Sequence, residues 1–527
     1  MKKHNRILTA LFAVLLMVTS CKDDLNLTPT NDYTGDVAYS TPEGYKNGIA
    51  KVYGSIATSS NQGPNAPSGD IAGVDAGTSD FIRSFWMLQE LPTDEAACAW
   101  VNDPGVAEMN HLTFTPSNVL VLGLYARSIY QITLVNEFLR ESTEAKVSVR
   151  GITGADAEEI KYYVNEARFL RAFQYWVLMD MFGNPPFITE ESSVGKESPK
   201  QITRAELFKY VESELLAIEG SLKETNEYGR VSQGAAWALL ARLYLNAEVY
   251  TGTAKFTEAA QYAEKVINSG RYSLSSSYAN IFKADNNTNN QEIILSINYD
   301  GVKTQNFGGT TYLINAAINA DMNPTSFGVP NGGWGGNRSR ANLSQAFGDY
   351  KTTSDKRAMF FGDNPQITDI SVFKEGIAVT KFSNKTSTGE TAPSIGGTFC
   401  STDFPLFRLS EMYLIYAEAA SRGGAGNSGT ALTYVNQLRA RAYGDTSGNL
   451  GSLTLENIFN ERSRELYWEG FRRTDLIRYG RFTEGSYLWQ FKGGVINGRA
   501  VESYRNLYPL PATDVIANTN LVQNTGY

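Results

Sequence analysis

The sequence predicts a mainly α-helical protein, in which a scaffold of repeated helices supports a long, loop-rich region. Two observations predict this fold class. Apolar residues recur at helical spacing over most of residues 41–269 and again after residue 406. Between about residues 286 and 401 this periodicity gives way to glycine, asparagine, serine and threonine, which are typical of long loops. We therefore expect an N-terminal helical region over 41–285, a loop-rich region over 286–405 and a C-terminal helical region over 406–527.

The N-terminus has the pattern of a bacterial secretory signal. A basic start precedes an apolar stretch from Ile7 to Val18, which is too short to span a bilayer as a mature helix. The stretch ends Val18-Thr19-Ser20-Cys21, which matches the lipobox, where the signal is cut before a cysteine that then carries a diacylglyceryl group. We expect a signal peptide over residues 1–20 and a lipidated tether over 21–40. An ordinary cleaved signal with an incidental Cys21 is the alternative.

The helices before residue 285 show the spacing of tetratricopeptide repeats. The first helix of one pair is predicted from Gly234 to Tyr250, and the second from Phe256 to Asn268, with Gly270 to stop it. The tetratricopeptide helix A spacing is met by Trp237, Leu240, Ala241 and Tyr244, and close approach is allowed by Ala259, Ala260 and Ala263. Similar pairs are predicted at 119–141 with 158–182 and at 408–421 with 430–442.

Net charge and cysteine content argue against a nucleic-acid partner and against a disulfide framework. The formal net charge is -8, and it becomes -11 once the three basic residues of the signal are removed. Since phosphate binding needs clustered lysine and arginine, we expect no nucleic-acid partner. Three cysteines are present, and with Cys21 lipidated, Cys98 and Cys400 are either free thiols or one disulfide.

Enzymatic chemistry has few candidate residues. Of two histidines His4 leaves with the signal, so histidine-based catalysis and metal binding would depend on His111 alone, and we expect no cofactor and no metal. Glycoside hydrolysis needs only two carboxylates, and Glu461, Glu465 and Glu469 are spaced i, i+4, i+8. We interpret these three as ion-pair partners of the neighbouring arginines, with a glycoside hydrolase as the alternative.

The C-terminal sequence resembles the SusD/RagB family. The resemblance is carried by residues 461–481, ERSRELYWEGFRRTDLIRYGR, by residues 508–527, YPLPATDVIANTNLVQNTGY, and by Glu166–Ala172 with Asp180–Gly183 in the central helix. It implies a SusD-like fold, with four tetratricopeptide-like units supporting an irregular region. It also implies a binding lipoprotein of the outer membrane, exposed at the cell surface and not an enzyme, whose partner is a TonB-dependent transporter of the SusC type.

Aromatic residues in glycine-rich stretches are the candidates for a glycan-binding face. Sugars present apolar CH faces and a rim of hydroxyls, so a site for them needs exposed aromatic rings with polar side chains around them. Two stretches fit, Asp70 to Asp103 and Tyr312 to Trp334. Because two glycines flank Trp334 on each side, we expect its ring to be exposed or half-exposed. The tryptophans expected in the core are Trp176, Trp237, Trp468 and Trp489.

The starch-binding members of the family give the resemblance more detail. They are similar to this chain at Glu90–Glu95, at Asp300–Thr304 and around Gly308–Leu313. The resemblance implies an arc of aromatic rings for an α-glucan such as starch or a maltooligosaccharide. The residues that match the site are Arg83, Trp100, Asn102, Asp103, Tyr312 and Trp334. The chain departs from the pattern at Cys98, where a further Trp occurs, and at Asp103, which replaces an Asn. A different polysaccharide is the alternative ligand.

Overall fold

The computed structural model describes residues 34–64, 69–288 and 290–527. The predicted signal peptide and Cys21 lie outside the described residues. The described part holds eighteen α-helices and eight short strands, which confirms the mainly α fold class.

The helices that precede the irregular region include the longest in the protein. They are α1 (Gly35–Ala38), α2 (Pro42–Ala57), α3 (Phe81–Glu90), α4 (Val106–His111), α5 (Val119–Glu141), α6 (Glu144–Val149), α7 (Gly154–Phe182), α8 (Arg204–Ile218), α9 (Gln233–Leu245), α10 (Ala247–Thr251) and α11 (Phe256–Asn268). Local chemistry sets several of their starts. Thr41 accepts a hydrogen bond from the Gly44 N–H at the start of α2, and Asn118 does the same for the first turn of α5.

The remaining helices lie in and after the irregular region. They are α12 (Gly309–Ala317), α13 (Ala341–Gln345), α14 (Leu409–Ser421), α15 (Ser428–Tyr443), α16 (Leu455–Leu466), α17 (Arg472–Arg478) and α18 (Ala512–Ala517). The predicted pairs are present, since α5 packs on α7, α9 on α11 and α14 on α15. Gly270 has φ +68°, as expected of a residue just after a helix end. The predicted helix from Gly234 to Tyr250 is divided at Asn246 into α9 and α10.

Eight short strands form four antiparallel pairs. They are β1 (Ala96–Cys98), β2 (Pro186–Phe187), β3 (Lys200–Gln201), β4 (Ile293–Ile297), β5 (Asn337–Ser339), β6 (Phe360–Phe361), β7 (Ala378–Val379) and β8 (Phe404–Arg408). Strand β1 pairs with β5, β2 with β3, β4 with β8 and β6 with β7. The β1–β5 pair sets Cys98 opposite Asn337. It therefore places the first stretch that the sequence offered as a binding face beside the segment that follows the second one.

Helix α5 is the only described helix that is long and apolar enough to cross a membrane. Of its most apolar window, 61% is buried within the protein. Among its buried residues are Leu120, Leu124 and Phe138, which belong to the main hydrophobic core. We assign α5 as a core helix.

Glu461, Glu465 and Glu469, the candidates for a pair of hydrolytic carboxylates, lie in a buried ionic core. Glu465 accepts hydrogen bonds from Arg357, Arg408 and Arg441, which come from three separate parts of the chain. Glu461 and Glu469 are equally buried and bind further arginines and Lys381. The ion-pair interpretation is confirmed, but most partners are distant in sequence and are not the arginines beside them. Helix α16 also ends at Leu466, before Glu469.

Candidate binding cleft

A cleft of about 510 Å³ opens on the irregular side of the scaffold. Its lining residues come from the segment after α2, from the start of α3 and from three later loops. They are Pro64, Asp75, Ala76, Gly77, Thr78, Arg83, Asp103, Phe307 and Trp334. Three of the six predicted ligand-binding residues, Arg83, Asp103 and Trp334, thus share one cleft.

The carboxylate of Asp80 holds two walls of the cleft together. It is fully buried and accepts hydrogen bonds from the backbone N–H of Arg83 and Gly309, each at 2.8 Å. Its other oxygen accepts one from Nδ2 of Asn306, also at 2.8 Å, and that amide reaches the carbonyl of Ala57 as well. Burial raises the pKa of Asp80, while these donors act in the opposite direction. The clamp fixes α3 against the turn that carries Phe307.

Arg83 lies against an aromatic ring and keeps unused hydrogen-bonding capacity. Its guanidinium carbon is 4.7 Å from the centroid of the Tyr312 ring, and its Nη1 donates to the carbonyl of Phe307 at 3.4 Å. Its Nη2 has no hydrogen-bond partner among the described residues, whereas the unpartnered Nε is buried and out of a ligand's reach. A half-buried arginine held in this way is suited to donate to a ligand hydroxyl.

The structure corrects the expectation that Tyr312 is a surface platform. It lies in α12, whose nine residues are all buried, and its side chain is fully enclosed. Its ring packs edge-on against Trp86 and Trp100, and its hydroxyl donates to Oδ1 of Asn337 at 3.1 Å. Burial raises its pKa. Tyr312 therefore supports Arg83 and Trp100 from behind and offers no ring face to a ligand.

Trp100 is half-buried at the edge of this layer because the backbone opposite it has no side chain. A Cβ on Gly336 would lie 2.5 Å from the indole, so only glycine leaves room for the ring. The adjoining backbone is tied by a hydrogen bond from the Ala99 N–H to the Gly336 carbonyl at 2.8 Å. Asn102 and Asp103 follow in an exposed turn, and of these two only Asp103 lines the cleft.

Trp334 is half-buried, as the glycines around it predict. Gly333 and Gly335 have φ of +90° and +60°, a backbone conformation that favours glycine. The Trp334 N–H donates to the Asn315 carbonyl at 2.7 Å, which fixes the loop on the end of α12. Its ring centroid lies 6.2 Å from that of Phe307. The two rings form an aromatic corner of the cleft.

Other aromatic predictions have mixed outcomes. Trp176, Trp468 and Trp489 are buried as expected, whereas Trp237 is half-buried and covered by Lys265 and Arg271. Trp86, which the sequence placed in a candidate binding stretch, is fully buried in α3.

Sequence reasoning missed Phe307. It precedes Gly308 and Gly309, so the test that found Trp334, an aromatic residue beside glycines, would have found it too.

The remaining candidates for chemistry do not line the cleft. His111 is half-buried near Phe491, and burial lowers its pKa. Cys98 and Cys400 are both buried free thiols whose pKa values are raised by burial. Among the described residues no group of three His, Cys, Asp or Glu side chains could hold a metal ion.

The fold and the cleft are those of a class of binding proteins built on a helical scaffold. The sequence profile of the SusD family matches residues 367–527. The chain is 36% identical to the starch-binding protein SusD of Bacteroides thetaiotaomicron, over 98% of each protein. It is 23% identical to a SusD-like protein of Bacteroides ovatus, over 90% of this chain and 83% of that protein. The chain belongs to the SusD family.

Solved structures share the fold. A SusD homolog from Bacteroides thetaiotaomicron matches with a TM-score of 0.73 at 19% identity, over 96% of this chain and 100% of that one. The surface glycan-binding protein A of Bacteroides fluxus matches with a TM-score of 0.69 at 21% identity, over 92% of this chain and 100% of that one.

Proposed function

We propose that this protein is a cell-surface lipoprotein that captures starch or maltooligosaccharides and delivers them to a TonB-dependent transporter of the SusC type. The observation that carries the proposal is the aromatic corner of Trp334 and Phe307, set in a cleft whose rim carries Arg83, Asp75 and Asp103. Trp100, half-buried against Tyr312, extends this aromatic surface.

The chemistry of the cleft suits a sugar. Ring faces of tryptophan and phenylalanine stack on the CH faces of a pyranose, and carboxylates with an arginine address its hydroxyls. The Nη2 of Arg83 has no partner among the described residues, and Asp75 and Asp103 are exposed, so these groups have capacity for a ligand. The cleft is also open enough to admit one stretch of a longer chain.

The choice of an α-glucan rests on the relative whose name states its ligand, the starch-binding protein SusD, at 36% identity over 98% of the chain. The rings come from separate loops that the helical scaffold holds in place, and an arc of this kind favours a curved glucan over a flat one. At the position where the starch-binding relatives have a further Trp, this chain has Cys98, which has no ring and is buried in β1.

Native affinity electrophoresis in gels containing starch, pullulan, dextran, levan or xylan tests the proposal. We expect starch to retard the wild type and to retard Trp334→Ala much less, because one stacking ring contributes on the order of 1 kcal/mol or more, which is a severalfold change in affinity. Trp237→Ala is the matched control, since that ring is half-buried outside the cleft. Normal retardation of Trp334→Ala rejects the site. Retardation by levan or xylan alone rejects the α-glucan but keeps glycan capture.

Membrane attachment through Cys21 is part of the same proposal. Acyl chains on this residue would hold the protein at the outer membrane, since each buried CH₂ contributes about 0.8 kcal/mol. Cys21→Ala should move the protein from the membrane fraction to the soluble fraction. If the substituted protein stays in the membrane fraction, the lipid anchor is wrong.

A further inference from the structure

A second cavity, of about 360 Å³, shares no lining residue with the cleft. It lies between α2, α7, the loop 227–230 and the strands β4 and β8. Its walls are mainly aliphatic, and the residues that form them include Ile49, Ile56, Leu170, Leu295, Ile297 and Leu406. Its volume falls within the range of roughly 300 to 1,000 Å³ found for small-molecule sites.

The sequence of α2 creates this space. Lys46, Ala50 and Gly54 follow at i, i+4 and i+8, so they lie on one face of the helix, and all three line the cavity. Two of the three are small, and a Cβ on Gly54 would meet no atom within 4 Å. The cavity is therefore open because side chains are missing from this face.

The polar groups deep in the cavity are already satisfied. The Tyr53 hydroxyl donates to Glu166 at 2.6 Å and accepts from the Val231 N–H at 2.9 Å. Arg230 binds Glu166 and also Glu159, the latter at 3.2 Å. Beside these satisfied groups a ligand meets a mainly apolar surface, with Asn298 and Thr304 as further polar residues of the lining, and this suits a hydrocarbon better than a sugar with hydroxyls on every side.

The lining of the cavity includes one lysine without an ion-pair partner among the described residues. Lys46 is exposed, and it makes no ion pair with any described residue. Glu227, the carboxylate that also lines the cavity, lies 3.6 Å from Arg230. A negative group at one end of a hydrocarbon chain would complement Lys46.

We propose that this cavity binds an amphiphilic monocarboxylate of the medium-chain fatty acid type. The hydrocarbon chain occupies the aliphatic chamber between α2 and β4, and the carboxylate lies at the mouth beside Lys46. This site is separate from the glycan cleft and does not depend on its function.

Isothermal titration calorimetry with decanoate, below its micelle concentration, tests the proposal on the purified protein. We expect saturable binding of one decanoate per chain, lost in Gly54→Phe because the ring fills the chamber. Ala50→Phe, one turn earlier, is a second filling variant should the first fold poorly. Gly220→Phe is the matched control, since a Cβ there also meets no atom within 4 Å and lies outside the cavity. Thermal melting of each variant reports folding.

A separate experiment tests whether the carboxylate lies beside Lys46. Lys46→Gln should weaken decanoate binding severalfold and leave decanol binding unchanged. Decanol that binds the wild type as tightly as decanoate overturns the charge assignment. No saturable binding to the wild type, or equal binding by wild type and both filled variants, overturns the site, whatever the protein does in starch gels.

Discussion

Arg83 in the cleft and Arg408 in the ionic core are both arginines beside aromatic rings, but their surroundings differ. Arg408 is fully enclosed and binds Glu292, Glu465 and Glu469, so its charge is compensated within the protein. Arg83 is half-buried, makes no ion pair with a described residue and keeps its Nη2 without a partner among those residues. Saturated polar groups stabilise a fold, while unsaturated ones at a surface remain available for a ligand.

The largest effect should come from breaking the ionic core. Arg408→Met leaves three buried carboxylates short of a partner, and losing one partner of a buried network costs about 3–5 kcal/mol of unfolding free energy. Arg83→Met should change that free energy by less than about 1 kcal/mol. Denaturant unfolding followed by far-UV circular dichroism measures both. Equal destabilisation by the two variants would show that the two arginines do not differ as described.

A smaller effect concerns two buried carboxylates with opposite pKa shifts. Arginines lower the pKa of Glu461 to about 2, so its contribution to stability is present above the usual glutamate pKa and lost as pH falls toward 2. Burial raises the pKa of Asp403 to about 7, so folding is favoured below its usual pKa of about 4 and this advantage is lost as pH rises through 7.

The wild type should lose stability between pH 5 and pH 8, because the buried Asp403 resists losing its proton. Asp403→Asn should remove this part of the loss, because asparagine does not ionise. At about 1.4 kcal/mol per pKa unit, the difference between wild type and variant should shift by about 2–4 kcal/mol across this range. Denaturant unfolding at both pH values gives the measurement. A pH dependence that is identical in the two proteins would contradict the raised pKa.

The smallest effect concerns the support of the cleft. Gly336→Ala places a Cβ 2.5 Å from the Trp100 indole, so the ring must move. Loss of one well-placed ring costs about 0.5–1.5 kcal/mol, so starch affinity should fall severalfold. Gly220→Ala is the control, because its Cβ meets open space. Affinity electrophoresis compares the two, and unchanged retardation of Gly336→Ala would remove Trp100 from the binding surface.

The sequence predicted the parts of this molecule that depend on local pattern. The helices α9 and α11 follow from periodicity, and the half-exposed Trp334 follows from its glycines. Tyr312 was misplaced because all nine residues of α12 are buried, which leaves no polar face to reveal a helix. The ion-pair partners of Glu465 could not be predicted from the sequence either. Arg357 is 108 residues away, and no local spacing indicates such a pair.

The Asp80 clamp also has a consequence for the order of folding. Its hydrogen bonds join residues 226 and 229 positions apart, and the amide of Asn306 reaches a carbonyl 249 positions away. Closing such long loops lowers the entropy of the chain before the new contacts can offset that cost. Distant contacts therefore form slowly and late. The clamp therefore cannot form until residues up to 309 meet the N-terminal helices, and the complete cleft also needs Trp334. Gain of glycan binding during refolding should lag behind gain of helix content.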